Sequence, residues 1–339
     1  MNQINRIAKK RWLLLCLAGA LILGSVLILA FCIGDGASAV GGEVEAGRQN
    51  ILVAGQDRAT GLCDFLLLAG VDRASGKTTL LSLPRDTFAA YNDGSYCKLN
   101  GAMQALGGME AFCTFLEESM GVTVDRYVRM DPDALRTAVD AIGGVEIVIP
   151  EDMEYRDPAA GLSIRLPAGK QVLDGEQAEH FVRFRSDYAW GDLGRIDAQK
   201  LFLTALLKTA KGKVTLPTLV RLVTAMPEHI ETNLTVSEML SLGKTAMGTP
   251  DESILFFTLP GKACTVAQTG ASYYVLSAPS AAELMEDFFG GDASSFDPEE
   301  VFCHHKNSRF CEIYREYTPY EGASAARIEE NGVQIDRIP

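Results

Sequence analysis

Short apolar runs that alternate with helical segments constrain the fold of this chain more than any other feature. Residues 50–55 (NILVAG), 64–71 (DFLLLAGV) and 78–83 (TTLLSL) are each bounded by polar residues, glycine or proline. Runs of this length and composition are typical of strands that are buried on both faces of a sheet. Helical patterning follows over residues 100–120. The alternation therefore predicts an α/β fold with a largely covered sheet.

The same alternation continues along the chain. Residues 131–144 predict a helix with Asp131 as its N-cap, proline at the first position and Gly-Gly as the stop. A turn at Asp174-Gly175 leads into a helix, on which Glu176 and Glu179 are expected to form a solvated face. Further strands are predicted at 126–130, 145–149 and 253–259, and further helices at 194–211, 216–226, 235–247 and 278–289.

The N-terminus carries the clearest topological signal. Four basic residues precede residues 13–34, which carry no charge and would extend about 33 Å as a helix, enough to span a bilayer. The basic flank predicts a cytoplasmic N-terminus and a single-pass protein of the cell membrane, with the rest of the chain outside. A cleaved signal peptide is the alternative, for which the apolar run is long. The predicted divisions are 1–12 (cytoplasmic), 13–34 (transmembrane anchor), 35–49 (linker), 50–290 (main domain) and 291–339 (a tail or small appended element).

Charge and cysteine content limit the classes of function. The net charge of −13 argues against a nucleic-acid-binding protein, which would normally be basic. Cysteines in an exported domain permit disulfides, and the two favoured pairs are Cys303–Cys311 and, as a second choice, Cys97–Cys113. A zinc site formed by Cys303, Cys311 and the intervening histidines is a less favoured alternative.

Polar and charged side chains gather just after the predicted strands. In open α/β sheets, ligands bind beyond the carboxyl ends of the strands, so these side chains are candidates for one site. They are Asp57, Arg58 and Asp64 between the first two strands, Arg85 and Asp86 after the third, and Lys98 and Asn100 before the first helix.

The stretch RFRSDYAWGDLGR (183–195) adds Arg183, Arg185, Asp192 and Arg195 to this set. Guanidinium groups bind phosphate oxygens through two hydrogen bonds and keep their charge, and carboxylates hold Mg²⁺. The combination predicts a site for a polyphosphate with a divalent metal. Ordinary surface ion pairs are the alternative for any single residue. The sequence contains no Walker A, GxGxxG or GxSxG motif that would indicate another chemistry.

Five motifs occur in a characteristic order: SLPRD, KLNGA, GVEIVIP, LDGEQAEHFVRFR and GDLGRIDAQ. Together they resemble the LytR–CpsA–Psr family over about residues 50–290. The resemblance implies a three-layer α/β/α sandwich with a mixed central sheet, preceded by one transmembrane helix. It also implies an extracellular catalytic domain that moves a glycopolymer, such as teichoic acid or capsule, from a polyprenyl diphosphate carrier to a peptidoglycan hydroxyl.

The resemblance assigns roles by motif position. It implies that Mg²⁺ or Mn²⁺ is bound by two aspartates and that the diphosphate is bound by arginines. The metal ligands would be Asp57 and Asp64, the diphosphate ligands Arg85, Arg183, Arg185 and Arg195, and a further phosphate contact Lys98, with Arg58 and Asn100 beside it. Asp86 and Gln199 also fall at motif positions, and the general base is left open between Asp57 and Asp86.

Two departures from the family pattern keep other functions open. Leu62-Cys63-Asp64-Phe65 stands where the family has a sequence like Arg-Ser-Asp-Thr, and Ala198-Gln199-Lys200 stands where it often has Arg-Gln-Gln. One alternative is a non-catalytic surface protein that binds anionic wall polymers or regulates partners. Another is a hydrolase that splits the polyprenyl diphosphate with water as the acceptor.

Overall fold

A computed structural model of the chain describes residues 47–57, 60–90, 95–157, 162–184, 192–214, 228–266, 269–292, 308–320 and 322–331. The predicted anchor at 13–34 and the predicted helix at 216–226 lie outside these ranges. Within them, no helix combines the length and the apolar character that crossing a bilayer requires. The described residues form two compact units, a first unit of residues 130–249 and 327–331 and a second unit of residues 47–129 and 250–326.

Strands and helices alternate along the described chain. The strands are β1 (Arg48–Gln56), β2 (Cys63–Asp72), β3 (Lys77–Ser82), β4 (Phe88–Ala90), β5 (Tyr96–Lys98), β6 (Arg126–Met130), β7 (Val145–Ile149), β8 (Met153–Asp157), β9 (Leu162–Leu166), β10 (Gly169–Leu173), β11 (Ile230–Thr232), β12 (Ile254–Thr258), β13 (Gly261–Thr265), β14 (Ser272–Leu276) and β15 (Ala323–Ser324). The helices are α1 (Leu99–Leu106), α2 (Met109–Met120), α3 (Pro132–Ala141), α4 (Gly175–Arg183), α5 (Asp192–Lys213), α6 (Val236–Gly248), α7 (Ala278–Phe289), α8 (Ser308–Arg315) and α9 (Ala325–Asn331).

The second unit is built on a mixed sheet, as the family resemblance implied. Its strands lie in the order β6-β1-β2-β3-β12-β15. The pairs β1–β2, β2–β3 and β12–β15 are antiparallel, and β3–β12 is parallel. The centre of β1, from Ile51 to Ala54, is at most 1% exposed, which confirms the prediction of a strand buried on both faces.

Helices and the C-terminal segment complete the core of the second unit. Phe112 of α2 and Phe289 of α7 are buried in one apolar cluster with the sheet. Phe310 and Tyr314 of α8 belong to the same cluster, and β15 extends the sheet beside β12. Residues after 291 thus contribute to the core of this unit, which the polar composition of the tail did not indicate.

Two expectations for the second unit require correction. The helical segment at 100–120 is divided into α1 and α2, because Gly107 and Gly108 adopt φ angles of 93° and 139° that end the first helix. The Cys97–Cys113 disulfide is wrong, because Cys113 is a free, buried thiol on α2. The alternative pair Cys303–Cys311 lies outside the described side chains.

The first unit has a separate apolar core that includes the buried side of an antiparallel pair of strands. Val145, Ile147 and Ile149 of β7 are buried and alternate with exposed residues, and β7 pairs with β10. The helix α3 begins as predicted, since the side chain of Asp131 accepts a hydrogen bond from the amide of Ala134 at 3.0 Å. This core also includes residues of α3, α4 and α5.

The start of α4 fits closely against α3. Asp174 and Gln177 form a reciprocal capping box at this start. Gly175 lies so near α3 that a Cβ atom there would be 2.2 Å from the carbonyl oxygen of Arg136. The Gly175 amide also donates to Asp140 Oδ1 at 2.7 Å. Only glycine fits here without a shift of the backbone, so this contact fixes how α4 lies on α3.

Candidate functional site

A β-bulge places Asp64 at the end of the β1–β2 pair. Gly55 lies opposite Phe65 and Gln56 lies opposite Cys63, so Asp64 is an extra residue with no Cα partner on β1. Bulges bend a strand and redirect a side chain, and they occur often beside active sites. The side chain of Asp64 is 35% exposed.

Asp57 follows β1 directly and closes the connection to β2. Its Oδ1 accepts hydrogen bonds from the amide of Thr60 at 2.9 Å and from the hydroxyl of Thr60 at 3.1 Å. Its amide donates to the carbonyl of Leu62 at 2.8 Å. The predicted ligand Arg58 lies in this connection but outside the described residues, so its role stays a prediction.

Arg85 is brought directly to Asp64. The guanidinium Nη1 of Arg85 donates to Asp64 Oδ1, and the two side chains are 16% and 35% exposed. The backbone at Arg85 is held in turn, because its carbonyl accepts from the amide of Asn100 at 2.9 Å. The sequence prediction that residues at the ends of β1–β2 and β3 meet is confirmed for this pair.

Asp86 and Lys98 form the neighbouring ion pair of the second unit. Lys98 Nζ lies 2.9 Å from Asp86 Oδ1, and the side chains are 34% and 26% exposed. Lys98 Nζ is also 5.7 Å from the ring centroid of Tyr273, within the range of a cation–π contact. Lys98 ends the β4–β5 hairpin and is the N-cap of α1. The end of β5 and the start of α1 therefore place Lys98 beside the segment that carries Arg85 and Asp86.

In the first unit, Arg183 is paired with a buried carboxylate. Arg183 Nη1 donates to Glu179 Oε1 at 2.7 Å, and Arg136 Nε donates to Glu179 Oε2. The side chain of Glu179 is only 3% exposed, so its expected place on a solvated face is wrong, whereas Glu176 is exposed as expected. The hydrogen bond to Glu179 raises the pKa of Arg136 above its ordinary value. Arg185 lies outside the described residues.

The helix α5 carries a second group of polar residues, and they are unusually well buried. Arg195, Gln199 and Lys200 are 3%, 7% and 1% exposed. Gln199 Nε2 donates to the carbonyl of Val182 at 3.3 Å, which ties α5 to α4. Lys200 Nζ lies 3.6 Å from Asp197 Oδ1; burial raises the pKa of Asp197, and Lys200 opposes this shift. The sequence indicated Arg195 and Gln199 by motif but gave no signal for a buried Lys200.

Two groups of residues offer donors for a metal. Asp57 and Asp64 provide two carboxylates at the β1–β2 connection, and such a pair suits Mg²⁺, which keeps several water ligands. Elsewhere, among the described residues, Asp131, Asp133 and His229 have ligand atoms within 4.8 Å of one another. His229 Nδ1 lies 3.1 Å from Asp131 Oδ2, and the sequence did not indicate this group because His229 follows Asp131 by 98 residues.

Cys63, which precedes Asp64, does not provide a nucleophile. It is fully buried, and this burial raises the pKa of its thiol to about 12. The reactive form of cysteine is the thiolate, which is nearly absent at neutral pH when the pKa is this high. The chemistry available at the two ion pairs of the second unit is therefore that of fixed cations beside carboxylates. Such a group can hold and neutralise an anion.

Comparison with known proteins defines the family. Residues 35–289 match the LytR_cpsA_psr family, so the chain belongs to that family. The Bacillus subtilis protein named polyisoprenyl-teichoic acid--peptidoglycan teichoic acid transferase TagV is 27% identical over 218 residues, which cover 63% of this chain and 56% of that protein. The probable cell wall biosynthesis protein LcpB of Corynebacterium glutamicum is 38% identical over 165 residues, covering 49% and 38%. The chain spans about half the length of these curated relatives or less.

Solved structures support the fold. The crystal structure of Bacillus subtilis TagV superposes with a TM-score of 0.63 at 24% identity, covering 75% of this chain and 99% of that one. The structure of protein gbs0355 from Streptococcus agalactiae gives a TM-score of 0.62 at 22% identity, covering 71% and 86%. These similarities support an α/β fold with a mixed central sheet.

Proposed function

We propose that this protein is an extracellular phosphotransferase that moves a glycopolymer from a polyprenyl diphosphate carrier to a hydroxyl of peptidoglycan. Membership of the LytR_cpsA_psr family and the transferase names of several relatives support this function. The observation that carries it on this chain is the Asp64–Arg85 pair, which a bulge and the end of β3 hold side by side. The second ion pair, Asp86–Lys98, provides another cation and carboxylate nearby in sequence.

The reaction is a displacement at phosphorus. The acceptor hydroxyl oxygen attacks the phosphorus that bears the glycan, the bond from this phosphorus to the bridging oxygen breaks, and polyprenyl phosphate leaves. The hydroxyl proton passes to a base, for which Asp86 and Asp57 remain the candidates. Little covalent chemistry is required of the protein, because phosphoryl transfer is accelerated mainly by positioning and charge neutralisation.

The cationic side chains have defined tasks in this reaction. Arg85 and Lys98 would bind the diphosphate oxygens and offset the negative charge that the leaving group gains. Arg183, Arg185 and Arg195 are proposed as further diphosphate ligands, with Gln199 holding α5 on α4. A Mg²⁺ or Mn²⁺ ion bound by Asp57 and Asp64 would supply additional positive charge.

The proposal includes a location. We place residues 1–12 in the cytoplasm, residues 13–34 in the membrane and the catalytic domain, residues 50–290, outside the cell as a three-layer α/β/α sandwich. The support is the uncharged run with its basic N-terminal flank. A membrane-anchored domain would lie close to a lipid-linked substrate, which is consistent with the proposed donor.

A non-catalytic binder of anionic wall polymers is the second candidate. It is favoured by the two departures from the family pattern, Leu62-Cys63-Asp64-Phe65 beside the proposed metal ligand and Ala198-Gln199-Lys200 on α5. The two functions differ in turnover, since a binder would hold a diphosphate lipid without cleaving it.

The test is cleavage of a short-chain polyprenyl diphosphate sugar by the full-length protein in detergent with Mg²⁺. Loss of one charged donor to the transition state typically lowers turnover about 100- to 1,000-fold, and we expect this for Arg85→Ala. The control is Arg309→Ala, which removes an exposed arginine paired with Glu312 in the same unit and should leave turnover unchanged. Wild-type turnover in Arg85→Ala would contradict the proposal, and binding without turnover by the unmodified protein would favour the binder.

A further inference from the structure

Glu179 is a buried carboxylate shared by two arginines. Its side chain is 3% exposed, and its two oxygens accept hydrogen bonds from Arg183 and from Arg136. A buried charge is strongly unfavourable unless it is paired and hydrogen-bonded, and here each oxygen has a guanidinium donor. The two arginines therefore stabilise the carboxylate of Glu179 inside the first unit.

The backbone beneath this group is fixed. Glu179 and Arg183 lie one turn apart on α4, and Arg136 lies on α3. The two helices touch at Gly175, where a Cβ atom would meet the carbonyl of Arg136, and the Gly175 amide is bonded to Asp140 at 2.7 Å. Glu179 is thus carried by a helix whose first turn is packed closely against α3.

Arg183 is the more accessible member of its pair. Its side chain is 35% exposed, against 3% for Glu179. One end of the guanidinium is anchored at Nη1 to the buried carboxylate, while the side chain as a whole still reaches solvent. An arginine held in one conformation loses less rotamer entropy when it binds an anion than a mobile arginine does.

We propose that Glu179 is a positioning residue that orients Arg183 for binding the diphosphate of the carrier. Arg136 acts as the counter-charge that keeps the carboxylate of Glu179 stable in the interior. This inference rests on the proposed function, because it takes the diphosphate as the ligand of Arg183. It goes beyond the roles that the family resemblance assigns, since those roles do not include Glu179 or Arg136.

The direction in which anion affinity changes when Glu179 is substituted separates a positioning role from a purely electrostatic one. If Glu179 acted only through its negative charge, removing that charge would strengthen binding of an anion. If Glu179 holds Arg183 in place, removing the carboxylate weakens binding, because Arg183 must then be immobilised by the ligand. An ordering cost of this kind for one long side chain corresponds to about 2- to 13-fold in affinity.

The experiment is a double-mutant cycle on the full-length protein in detergent with a short-chain polyprenyl diphosphate sugar. We expect Glu179→Gln to raise KM by about 2- to 13-fold, with a smaller change in kcat. In the Arg183→Ala background, Glu179→Gln should have no further effect, because the residue acts through Arg183. Glu146→Gln is the control: it makes the same charge change in the first unit, at an exposed pair with Lys170 at 2.9 Å, and should leave KM unchanged.

A second variant separates positioning from stability. Arg136→Met removes the other partner of Glu179 and should lower the melting temperature while KM stays within about twofold of wild type. Glu179→Gln should lower the melting temperature and raise KM. If KM follows the melting temperature in both variants, or if Glu179→Gln lowers KM or leaves it unchanged, the positioning role is overturned while the proposed function stands.

Failure of the proposed function has a different signature. If the wild-type protein does not cleave the substrate, the same cycle is measured as the Kd of inorganic pyrophosphate. Weaker pyrophosphate binding by Glu179→Gln, seen only when Arg183 is present, supports the positioning role without the transferase function. Absence of both cleavage and pyrophosphate binding in the wild type overturns both.

Discussion

The contact between α3 and α4 at Gly175 makes a sharp prediction for the substitution Gly175→Ala. A Cβ atom at this position would lie 2.2 Å from the carbonyl oxygen of Arg136 and 2.6 Å from its carbonyl carbon. Both of these are backbone atoms, so the clash cannot be relieved by rotating a side chain. The start of α4 must therefore move away from α3.

The size of the movement follows from the distances. Real Cβ contacts are essentially never shorter than 3.0 Å, so the oxygen and the new Cβ must separate by at least 0.8 Å, the difference between 3.0 and 2.2 Å. Overpacking that forces backbone shifts typically costs about 1–3 kcal/mol of unfolding free energy. The movement would also stretch the 2.7 Å hydrogen bond from the Gly175 amide to Asp140.

Chemical unfolding of the full-length protein in detergent, followed by circular dichroism, measures this cost. Gly212→Ala is the matched control, since Gly212 is an exposed glycine of α5 with nothing within 4 Å of its added Cβ. Alanine in an open helical position should stabilise by about 0.5–1 kcal/mol. We expect the unfolding free energy to fall for Gly175→Ala and to rise for Gly212→Ala. Equal stability of Gly175→Ala and wild type would refute the close packing of α4 on α3.

Three further predictions concern the second unit and the metal that is proposed for it. Burial raises the pKa of the Cys63 and Cys113 thiols to about 12 from 9.0, so both thiols should resist alkylation at pH 8 until the protein unfolds. Because the unfolded chain loses these protons at lower pH than the folded protein does, the unfolding free energy should fall as pH rises from 9.0 towards 12. Rapid labelling of the folded protein, or a Cys97–Cys113 disulfide in a mass spectrum, would contradict this. Asn50→Ala should lower the unfolding free energy by about 1–3 kcal/mol, because the Asn50 side chain donates to the carbonyls of Thr123 and Phe289 at 3.0 and 2.9 Å, and an unchanged urea midpoint would count against those bonds. A chelator should abolish cleavage of the diphosphate lipid, and added Mg²⁺ should restore it. Full activity in the presence of the chelator would show that cleavage does not require a metal.

Much of the second unit could be predicted from local sequence. The strands β1, β2 and β3 were placed within two residues of their observed ends, because each is a short apolar run between polar residues or glycine. The N-cap of α3 was also predicted, since Asp-Pro is a strong local signal. The break between α1 and α2 was missed because Gly107-Gly108 was read as part of a helical pattern, although its positive φ angles end the helix.

The site was predictable only where its partners follow neighbouring strands. Asp64 and Arg85 both lie at strand ends of one sheet, so the sequence predicted that they meet. Glu179 was misplaced on the solvent side because its neighbours on α4 do not reveal Arg136, which lies on another helix. Helical spacing shows which residues share a face, but it does not show which charged residue of another element meets that face. The donors Asp131 and His229 were missed for the same reason.

The identity of the product distinguishes transfer of the glycan from hydrolysis of its carrier. Full-length protein would be given a short-chain polyprenyl diphosphate glycan, Mg²⁺ and peptidoglycan fragments in ¹⁸O-labelled water, and the products would be examined by mass spectrometry. Transfer to peptidoglycan predicts a glycan joined to it through a phosphodiester that contains no ¹⁸O, together with polyprenyl phosphate. Free glycan phosphate that carries ¹⁸O would contradict transfer and identify a hydrolase, and unchanged substrate would contradict catalysis.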